Sequence, residues 1–232
     1  MNTSLAVGVG TIEVDDFSPL SRYDHDFAHD LRDAVLELND HDDVKVVLLR
    51  ATGPDFAPPG AAGDQDRPSG LPAWRRDFAG SAAIYQTLCF SKKVVVTEVQ
   101  GRCTGAGTVL VLCSDLTVAG EDSTFGSPFA AIPEANFALA SLTMRLNRAK
   151  AWALTDDVLP AEQAHAIGLV NFLEPVDQVW SRTASLAQDV CRMPLDGITM
   201  SKMLLQAVLD GHGVGREFDM APHYARDLWG GK

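Results

Sequence analysis

The sequence predicts an α/β fold with a helical C-terminal region. Apolar, β-branched runs alternate with amphipathic helical stretches through the first 172 residues, whereas the chain from Val176 onward has helical periodicity only. Of the 232 residues, 46% are hydrophobic, which is enough for one large core. We therefore predict an α/β core over residues 1–172 and a helical region over residues 173–232 that covers the site and forms oligomer contacts.

Strand, helix, strand and a long loop make up the first part of the predicted core. Leu5 to Val14 alternates weakly and indicates a strand, and Asp24 to Leu38 places its apolar residues on one helical face. The β-branched run from Val44 to Leu49 indicates a second strand. Gly53 to Gly70 contains four prolines, which prevent a regular element. Loops of this length are usually functional or mobile.

The alternation resumes after this loop and ends in helices. Further strands are predicted at Val94 to Val99, Asp115 to Ala119 and Leu169 to Phe172. Helices are predicted at Ala79 to Leu88, Thr108 to Leu112, Ala140 to Leu154 and Pro160 to Ile167, and then near Val176 to Arg192, Leu195 to Val208 and Gly215 to Leu228. The segment Phe125 to Phe137 is expected to be irregular.

Composition and charge limit the classes of partner. The formal net charge is −12, from 31 acidic and 19 basic side chains, so the overall field repels nucleic acid and anionic membranes. The N-terminus has no basic region before its apolar stretch, and no run approaches the ~20 apolar residues of a membrane span. The four cysteines lack Cys-x-x-Cys spacing and indicate buried reduced thiols. We expect a soluble, cytoplasmic protein with no nucleic-acid or membrane partner.

A glycine-rich run, G-R-C-T-G-A-G from Gly101 to Gly107, follows an apolar strand and precedes a helix. It lacks the G-x-G-x-x-G spacing of a dinucleotide site and the Gly-Lys-Ser/Thr ending of a P-loop. Phosphate binding by this turn is therefore not expected. No group of His, Cys and Asp residues has the spacing of metal ligands, so no metal is expected either.

Four segments, in their order along the chain, resemble the crotonase or enoyl-CoA hydratase/isomerase superfamily. They are G-P-D-F-A-P-P-G (Gly53 to Gly60), V-V-V-T-E-V-Q-G-R-C-T-G-A-G (Val94 to Gly107), C-S-D-L-T-V-A-G-E-D-S-T-F-G (Cys113 to Gly126) and P-A-E-Q-A-H-A-I-G-L-V-N (Pro160 to Asn171). The resemblance implies a crotonase-like spiral of ββα units, assembled as a homotrimer or hexamer. It also implies an acyl thioester substrate, carried on CoA or on the phosphopantetheine of an acyl carrier protein, and no other cofactor.

The resemblance further implies an oxyanion hole of two backbone N–H groups that stabilise a thioester enolate. The matching positions are Gly60 and Ala106, and the small residue Gly107 beside the second donor lines the substrate site. The two residues before Gly60 are prolines without an N–H, so either Gly60 or Ala61 is the first donor. A donor of this kind contributes about 3 kcal/mol to transition-state stabilisation.

Two departures from the family pattern direct the functional hypothesis. The positions of the two glutamates that hydratases use fall on Val109 and Phe129, and neither side chain can transfer a proton. Apolar residues at both positions, together with Tyr85, resemble the decarboxylating members of polyketide β-branching cassettes. This resemblance implies a lyase that decarboxylates a 3-methylglutaconyl-type thioester, because loss of CO₂ needs the oxyanion hole but not the missing glutamates.

Three further residues are candidates with two interpretations each. His223 is expected either to reach the acyl pocket, as a carboxylate-binding group or proton donor, or to lie on the surface or at an interface. Tyr85 either donates to the substrate carboxylate or fills the core with its hydroxyl satisfied. Arg22 aligns with a basic residue near the CoA phosphates, and a surface arginine paired with Asp24 or Asp26 is the alternative.

Glu134 supports a different reaction. The segment Phe129 to Phe137 is a few residues shorter than in relatives, which could direct this carboxyl group toward the pocket. One acid-base group would then be restored, and isomerisation or an unusual hydration that uses Glu134 or His223 becomes the alternative to decarboxylation. The third hypothesis is a homologue without catalytic activity that binds acyl thioesters or completes a hetero-oligomer.

Overall fold

The computed structural model describes residues 1–59 and 71–229 of the chain. A six-stranded sheet has the order β1-β2-β3-β4-β6-β9, and a three-stranded sheet has the order β5-β7-β8. The strands are β1 (Asn2–Ala6), β2 (Val9–Val14), β3 (Val46–Ala51), β4 (Val94–Val99), β5 (Arg102–Cys103), β6 (Leu116–Gly120), β7 (Thr124–Phe125), β8 (Leu159–Pro160) and β9 (Phe172–Glu174). The helices are α1 (Ser18–Ser21), α2 (His25–Asp40), α3 (Leu71–Cys89), α4 (Ala106–Cys113), α5 (Phe137–Thr143), α6 (Leu146–Thr155), α7 (Ala161–Ala166), the 3₁₀ helix Val176–Gln178, α8 (Val179–Cys191), α9 (Leu195–Gly211) and α10 (Val214–Trp229).

The large sheet is parallel from β2 to β9, and only β1 pairs antiparallel with its neighbour. Both faces of the parallel strands are covered, which explains why β3 and β4 are largely continuous apolar runs and not alternating ones. On one face lies the main core, which includes side chains of α2, α3 and α4. On the other face, α8 contributes Val179, Leu186 and Ala187 to a second apolar cluster. That cluster includes Leu48 of β3 and Val96 of β4.

The predicted α/β architecture and the C-terminal helices are confirmed, but some element predictions are wrong. The predicted strand Leu5 to Val14 is a hairpin, because Val7 and Gly8 both adopt positive φ (47° and 83°) and turn the chain between β1 and β2. A β-branched residue rarely adopts such a φ, so the sequence pattern did not indicate this turn.

The predicted helix Ala140 to Leu154 is in fact two helices, α5 and α6. The chain is extended at Met144 (φ −127°, ψ 167°), and the Met144 side chain is buried while its neighbour Arg145 is exposed. No glycine or proline marks the break, so helical periodicity continued across it. The predicted strand Leu169 to Phe172 is displaced and begins at Phe172.

The position of the site follows from the parallel sheet. The chain leaves the carboxyl end of β4, forms β5 and enters α4, so the N-terminus of α4 lies at the end of the sheet where ligand sites of parallel sheets occur. Among residues 1–59 and 71–229, no helix is both long enough and apolar enough to cross a membrane.

Candidate active site

The glycine-rich run forms a tight turn between β4 and α4. Gly101 and Gly105 adopt positive φ (58° and 53°), a conformation that other residues rarely take. Gly107 is needed for a different reason, because a Cβ there would collide with the Cβ of Ala57. This close approach brings the start of the loop, residues 53–59, beside the N-terminus of α4.

Backbone hydrogen bonds hold these two loops together. The Ala57 N–H donates to the Arg102 carbonyl at 2.8 Å, and the Thr104 N–H donates to the Ala57 carbonyl at 2.9 Å. Gly60 and Ala61, the predicted first oxyanion donor and its alternative, lie outside the described residues. The position of the first oxyanion donor therefore stays a prediction.

The second predicted donor, Ala106, is the first residue of α4 and is fully buried. Its N–H donates to the Ser21 hydroxyl oxygen at 3.0 Å. Ser21 ends the short helix α1, and it had not been singled out from the sequence because it is 85 residues away along the chain. The structure thus places a hydroxyl oxygen where a thioester carbonyl would have to accept the same hydrogen bond.

Val109 and Phe129 lie in apolar surroundings. Val109 is fully buried within α4, whose N-terminal residue is Ala106. The ring of Phe129 makes edge-to-face contacts with Phe137 at 5.5 Å and with Trp152 at 6.0 Å between ring centroids. Both positions are therefore hydrophobic in structure as well as in sequence, and neither supplies an acid or a base.

Glu134 is a titratable group that the structure buries at this end of the molecule. The Tyr23 hydroxyl donates to its Oε2 atom at 2.9 Å, and its Oε1 atom is buried without a hydrogen-bond partner among the described residues. Burial raises the pKa of Glu134 from 4.5 to about 7, although its own backbone, Tyr23 and Ser81 act in the opposite direction. A carboxyl group with this pKa can both give and take a proton near neutral pH.

Ser81 and Tyr85 of α3 complete a buried polar cluster with Glu134. They are one helical turn apart and therefore share a face of α3. Both hydroxyl groups are buried, and neither meets the geometry of a hydrogen bond with the described residues, although Ser81 is near enough to affect the pKa of Tyr85 and of Glu134. Both interpretations of Tyr85 therefore stay predictions. Burial raises the pKa of Tyr85 well above its ordinary value, and the charge of Glu134 adds to this, while the nearby Ser81 opposes it.

Two sets of contacts link this cluster to the N-terminus of α4. Ser21, which accepts from Ala106, and Tyr23, which donates to Glu134, are two residues apart, so their Cα atoms lie within about 7 Å of each other. A Cβ at Gly105 would lie 3.8 Å from the Cδ1 atom of Ile132, two residues before Glu134. The predicted oxyanion donor and the buried acid are therefore parts of one region.

The remaining candidates lie elsewhere or have local partners. His223 is exposed on α10. Arg22 is half-buried, and its Nη1 atom donates to the Ser18 hydroxyl at 3.0 Å. Asp24, one of the suggested partners of Arg22, caps α2 by accepting from the Phe27 N–H. The suggested role of His223 in the pocket stays a prediction.

No group of three or more His, Cys, Asp and Glu side chains is placed to hold a metal ion within the part of the chain that the structure describes.

A comparison with protein families adds to this geometry. The family model described as enoyl-CoA hydratase/isomerase matches residues 6–220, which is most of the chain. The chain belongs to the enoyl-CoA hydratase/isomerase family.

Relatives within the enoyl-CoA hydratase/isomerase family are distant. Crotonyl-CoA hydratase from Syntrophomonas wolfei is 24% identical over 87% of this chain and 77% of that protein. A (7aS)-7a-methyl-1,5-dioxo-2,3,5,6,7,7a-hexahydro-1H-indene-carboxyl-CoA hydrolase from Mycobacterium tuberculosis is 32% identical over 55% of this chain. The chain spans 51% of that hydrolase and 61% of the Danio rerio protein named enoyl-CoA hydratase domain-containing protein 3, mitochondrial.

Solved structures confirm the family fold. An enoyl-CoA hydratase/isomerase from Xanthobacter autotrophicus superimposes with a TM-score of 0.80 at 23% identity, over 95% of this chain and 83% of that one. Another, from Pseudoalteromonas atlantica, has a TM-score of 0.78 at 22% identity, over 95% of this chain and 88% of that one. At these identities the likeness establishes the crotonase-like fold and not the reaction.

Replacing Ser21 with alanine is expected to tighten substrate binding. The substitution removes the hydroxyl that occupies the Ala106 N–H, a hydrogen bond worth about 1 kcal/mol, so KM for an acyl thioester should fall roughly fivefold. Steady-state kinetics of Ser21→Ala measures this change. Ser141→Ala, which removes a helical serine hydroxyl that donates to the Ala138 carbonyl, is the matched control. A higher KM in Ser21→Ala would show that the hydroxyl itself helps to bind substrate.

The buried carboxyl group should make stability depend on pH. Because the pKa of Glu134 is about 7 when folded and about 4.5 when unfolded, the folded state binds more protons between these values. The contribution of Glu134 to the free energy of unfolding is full below about pH 4.5 and decreases by about 3 kcal/mol as the pH rises through 7. Urea denaturation should therefore find Glu134→Gln more stable than the parent protein at pH 8 but not at pH 5. An effect of equal size at both pH values would contradict the raised pKa.

Proposed function

We propose that this protein moves a proton on an enoyl thioester, with Glu134 as the general acid-base, and that the reaction is double-bond isomerisation. The observation that carries this proposal is the burial of Glu134, whose partner Tyr23 lies two residues after Ser21, the residue that accepts from the Ala106 N–H. Burial raises the pKa of Glu134 to about 7. This is the alternative that the sequence left open, and the position of Glu134 favours it over decarboxylation. Activity, substrate and partners of the whole protein are part of the proposal.

The proposed reaction needs one acid-base group. The Ala106 N–H stabilises the enolate oxygen after Ser21 has rotated away, while the Glu134 carboxylate removes a proton from the carbon between the thioester carbonyl and the unconjugated double bond. The protonated Glu134 then returns the proton to the far end of the dienolate, so that the substrate gains and loses nothing overall. A pKa close to neutrality suits both half-reactions. Hydration needs a second group to activate water, and the apolar Val109 and Phe129 do not supply it.

Decarboxylation of a 3-methylglutaconyl-type thioester, as in polyketide β-branching, is the second candidate. Two observations support it: the apolar surroundings of Val109 and Phe129, and the buried Tyr85 hydroxyl without a described partner, which could donate to a substrate carboxylate. Loss of CO₂ would leave its electron pair on the thioester dienolate, and neutral Glu134 would protonate the carbon. An ionised Glu134 would repel the substrate carboxylate, so this reaction is expected to favour pH values below about 7.

The carrier of the thioester and the oligomeric state are proposed from membership of the family. An acyl-CoA substrate fits the family, and an acyl carrier protein is the alternative carrier of the thioester. We also propose a homotrimer or hexamer in the cytoplasm that binds neither nucleic acid nor membrane. The formal net charge of −12 supports the absence of nucleic acid and anionic membranes among the partners.

One experiment separates the candidate reactions. The protein is incubated with a 3-enoyl-CoA, with crotonyl-CoA and with 3-methylglutaconyl-pantetheinyl carrier protein, and products are followed by intact mass and by absorbance of the conjugated thioester. A new conjugated double bond at constant mass supports isomerisation, whereas a gain of water or a loss of CO₂ identifies the other reactions. Binding of these thioesters without turnover would favour the non-catalytic homologue.

A further inference from the structure

We propose that Tyr23 is a positioning residue that holds the Glu134 carboxyl group in one orientation and sets the pH at which it exchanges its proton. This inference rests on the proposed function, in which Glu134 is the acid-base. It is carried by the hydrogen bond of 2.9 Å from the Tyr23 hydroxyl to Oε2 of Glu134, between residues 111 positions apart in the sequence.

The backbone at Tyr23 is unusual. Tyr23 follows α1 with a φ of 57°, one of three non-glycine residues with positive φ among the described residues. A bulky side chain rarely adopts this left-handed conformation, so the surrounding contacts must maintain it. In this conformation the chain reverses between α1 and α2, and the Tyr23 N–H donates to the Leu20 carbonyl at 3.1 Å.

The ring of Tyr23 is fixed by packing against distant helices. It stacks on Phe78 of α3, with ring centroids 6.3 Å apart and an angle of 23° between the rings. Phe78 in turn clusters with Ala221 and Ala225 of α10. The hydroxyl is therefore held in place by packing of the ring, and it is not a mobile surface group.

The hydrogen bond determines which oxygen of Glu134 is used. Tyr23 occupies Oε2, so in the proposed reaction Oε1, which is buried in the structure, takes the substrate proton after the side chains around it have moved to admit the substrate. Within the described part of the chain, Ser81 and Tyr85 of α3 are further polar groups that interact with this carboxyl group. A tyrosine hydroxyl that donates to the ionised carboxyl group lowers its pKa and counters the effect of burial.

Tyr23→Phe tests the inference, because it removes the hydroxyl and keeps the ring that stacks on Phe78. A hydrogen bond to a charged group is worth about one pKa unit or more, so the Glu134 pKa, followed by carboxyl ¹³C NMR, should rise by roughly one unit. The limb of the kcat–pH profile that reports Glu134 should move upward by the same amount, and kcat should fall about tenfold while KM stays within about twofold. Tyr224→Phe, at an exposed tyrosine of α10, is the control.

The outcomes distinguish this inference from the proposed function. An unchanged Glu134 pKa and pH profile, with only a lower melting temperature, would assign Tyr23 a structural role and overturn the inference. Full turnover in Glu134→Gln would instead overturn the proposed function, while the NMR titration still tests the hydrogen bond. If Tyr23→Phe does not fold, Tyr23→Asn serves as a second variant, since asparagine adopts positive φ readily and is too short to replace the hydroxyl.

Discussion

Replacing Glu134 with glutamine is expected to reduce kcat for isomerisation by about 10²- to 10⁴-fold. The amide has nearly the shape of the carboxyl group but cannot take the substrate proton. Because Glu134 is buried and the variant stays neutral, the protein should remain folded and become more stable at pH 8. A loss of activity with a gain of stability is characteristic of a catalytic group, since a residue that only supports the fold would lose both.

The measurement for this prediction is kcat and KM of Glu134→Gln on the thioester that the parent protein turns over. Glu37→Gln, at an exposed position of α2, is the matched control and should retain full activity. The parent protein should gain activity as the pH rises through about 7, because the base is the ionised carboxyl group. Retained activity in Glu134→Gln would exclude Glu134 as the proton carrier and leave decarboxylation with another proton donor.

Periodicity predicted most of the fold but not the contacts of the site. β4 was predicted with the bounds that it has, because an apolar strand that is covered on both faces gives a continuous β-branched run. The turn into α4 was predicted because a glycine-rich run between a strand and a helix indicates a tight turn, whereas the contact of Gly107 with Ala57 was not visible in the sequence. Periodicity did not predict the break between α5 and α6, because at this break the Met144 side chain is buried within an otherwise helical pattern.

Some of the candidate site residues were predicted from the sequence, and others became visible only in the structure. Ala106 was predicted from the resemblance of the glycine-rich run to the family, and Glu134 from a shortened segment; the roles of both stay predictions. Ser21 and Tyr23 were not identified, because their contacts with Ala106 and Glu134 join segments 85 and 111 residues apart. Ser21 at the end of a four-residue helix and Tyr23 just after it give no local signal, so their contacts became visible only in the folded structure.

The second large effect is expected from removal of the Ala106 N–H. Ala106 is the first residue of α4, a position where proline is tolerated because its N–H takes no part in the helical hydrogen bonds. The proline ring would point at the Ser21 hydroxyl, so the substitution is made in the Ser21→Ala background, which supplies the space. Compared with Ser21→Ala alone, the double variant Ser21→Ala/Ala106→Pro should lose about 10²- to 10³-fold in kcat, as expected for one oxyanion donor.

The comparison is decisive only if the double variant folds. Gly105 has no Cβ and tolerates a following proline, so we expect little change in melting temperature. Leu146→Pro is the control, because it places a proline at the first position of α6, where the side chain is exposed and the preceding residue is extended. A folded double variant with undiminished kcat would show that Ala106 does not stabilise the enolate. The Ser21–Ala106 hydrogen bond would then be a helix cap, and the oxyanion would have to be bound by other groups.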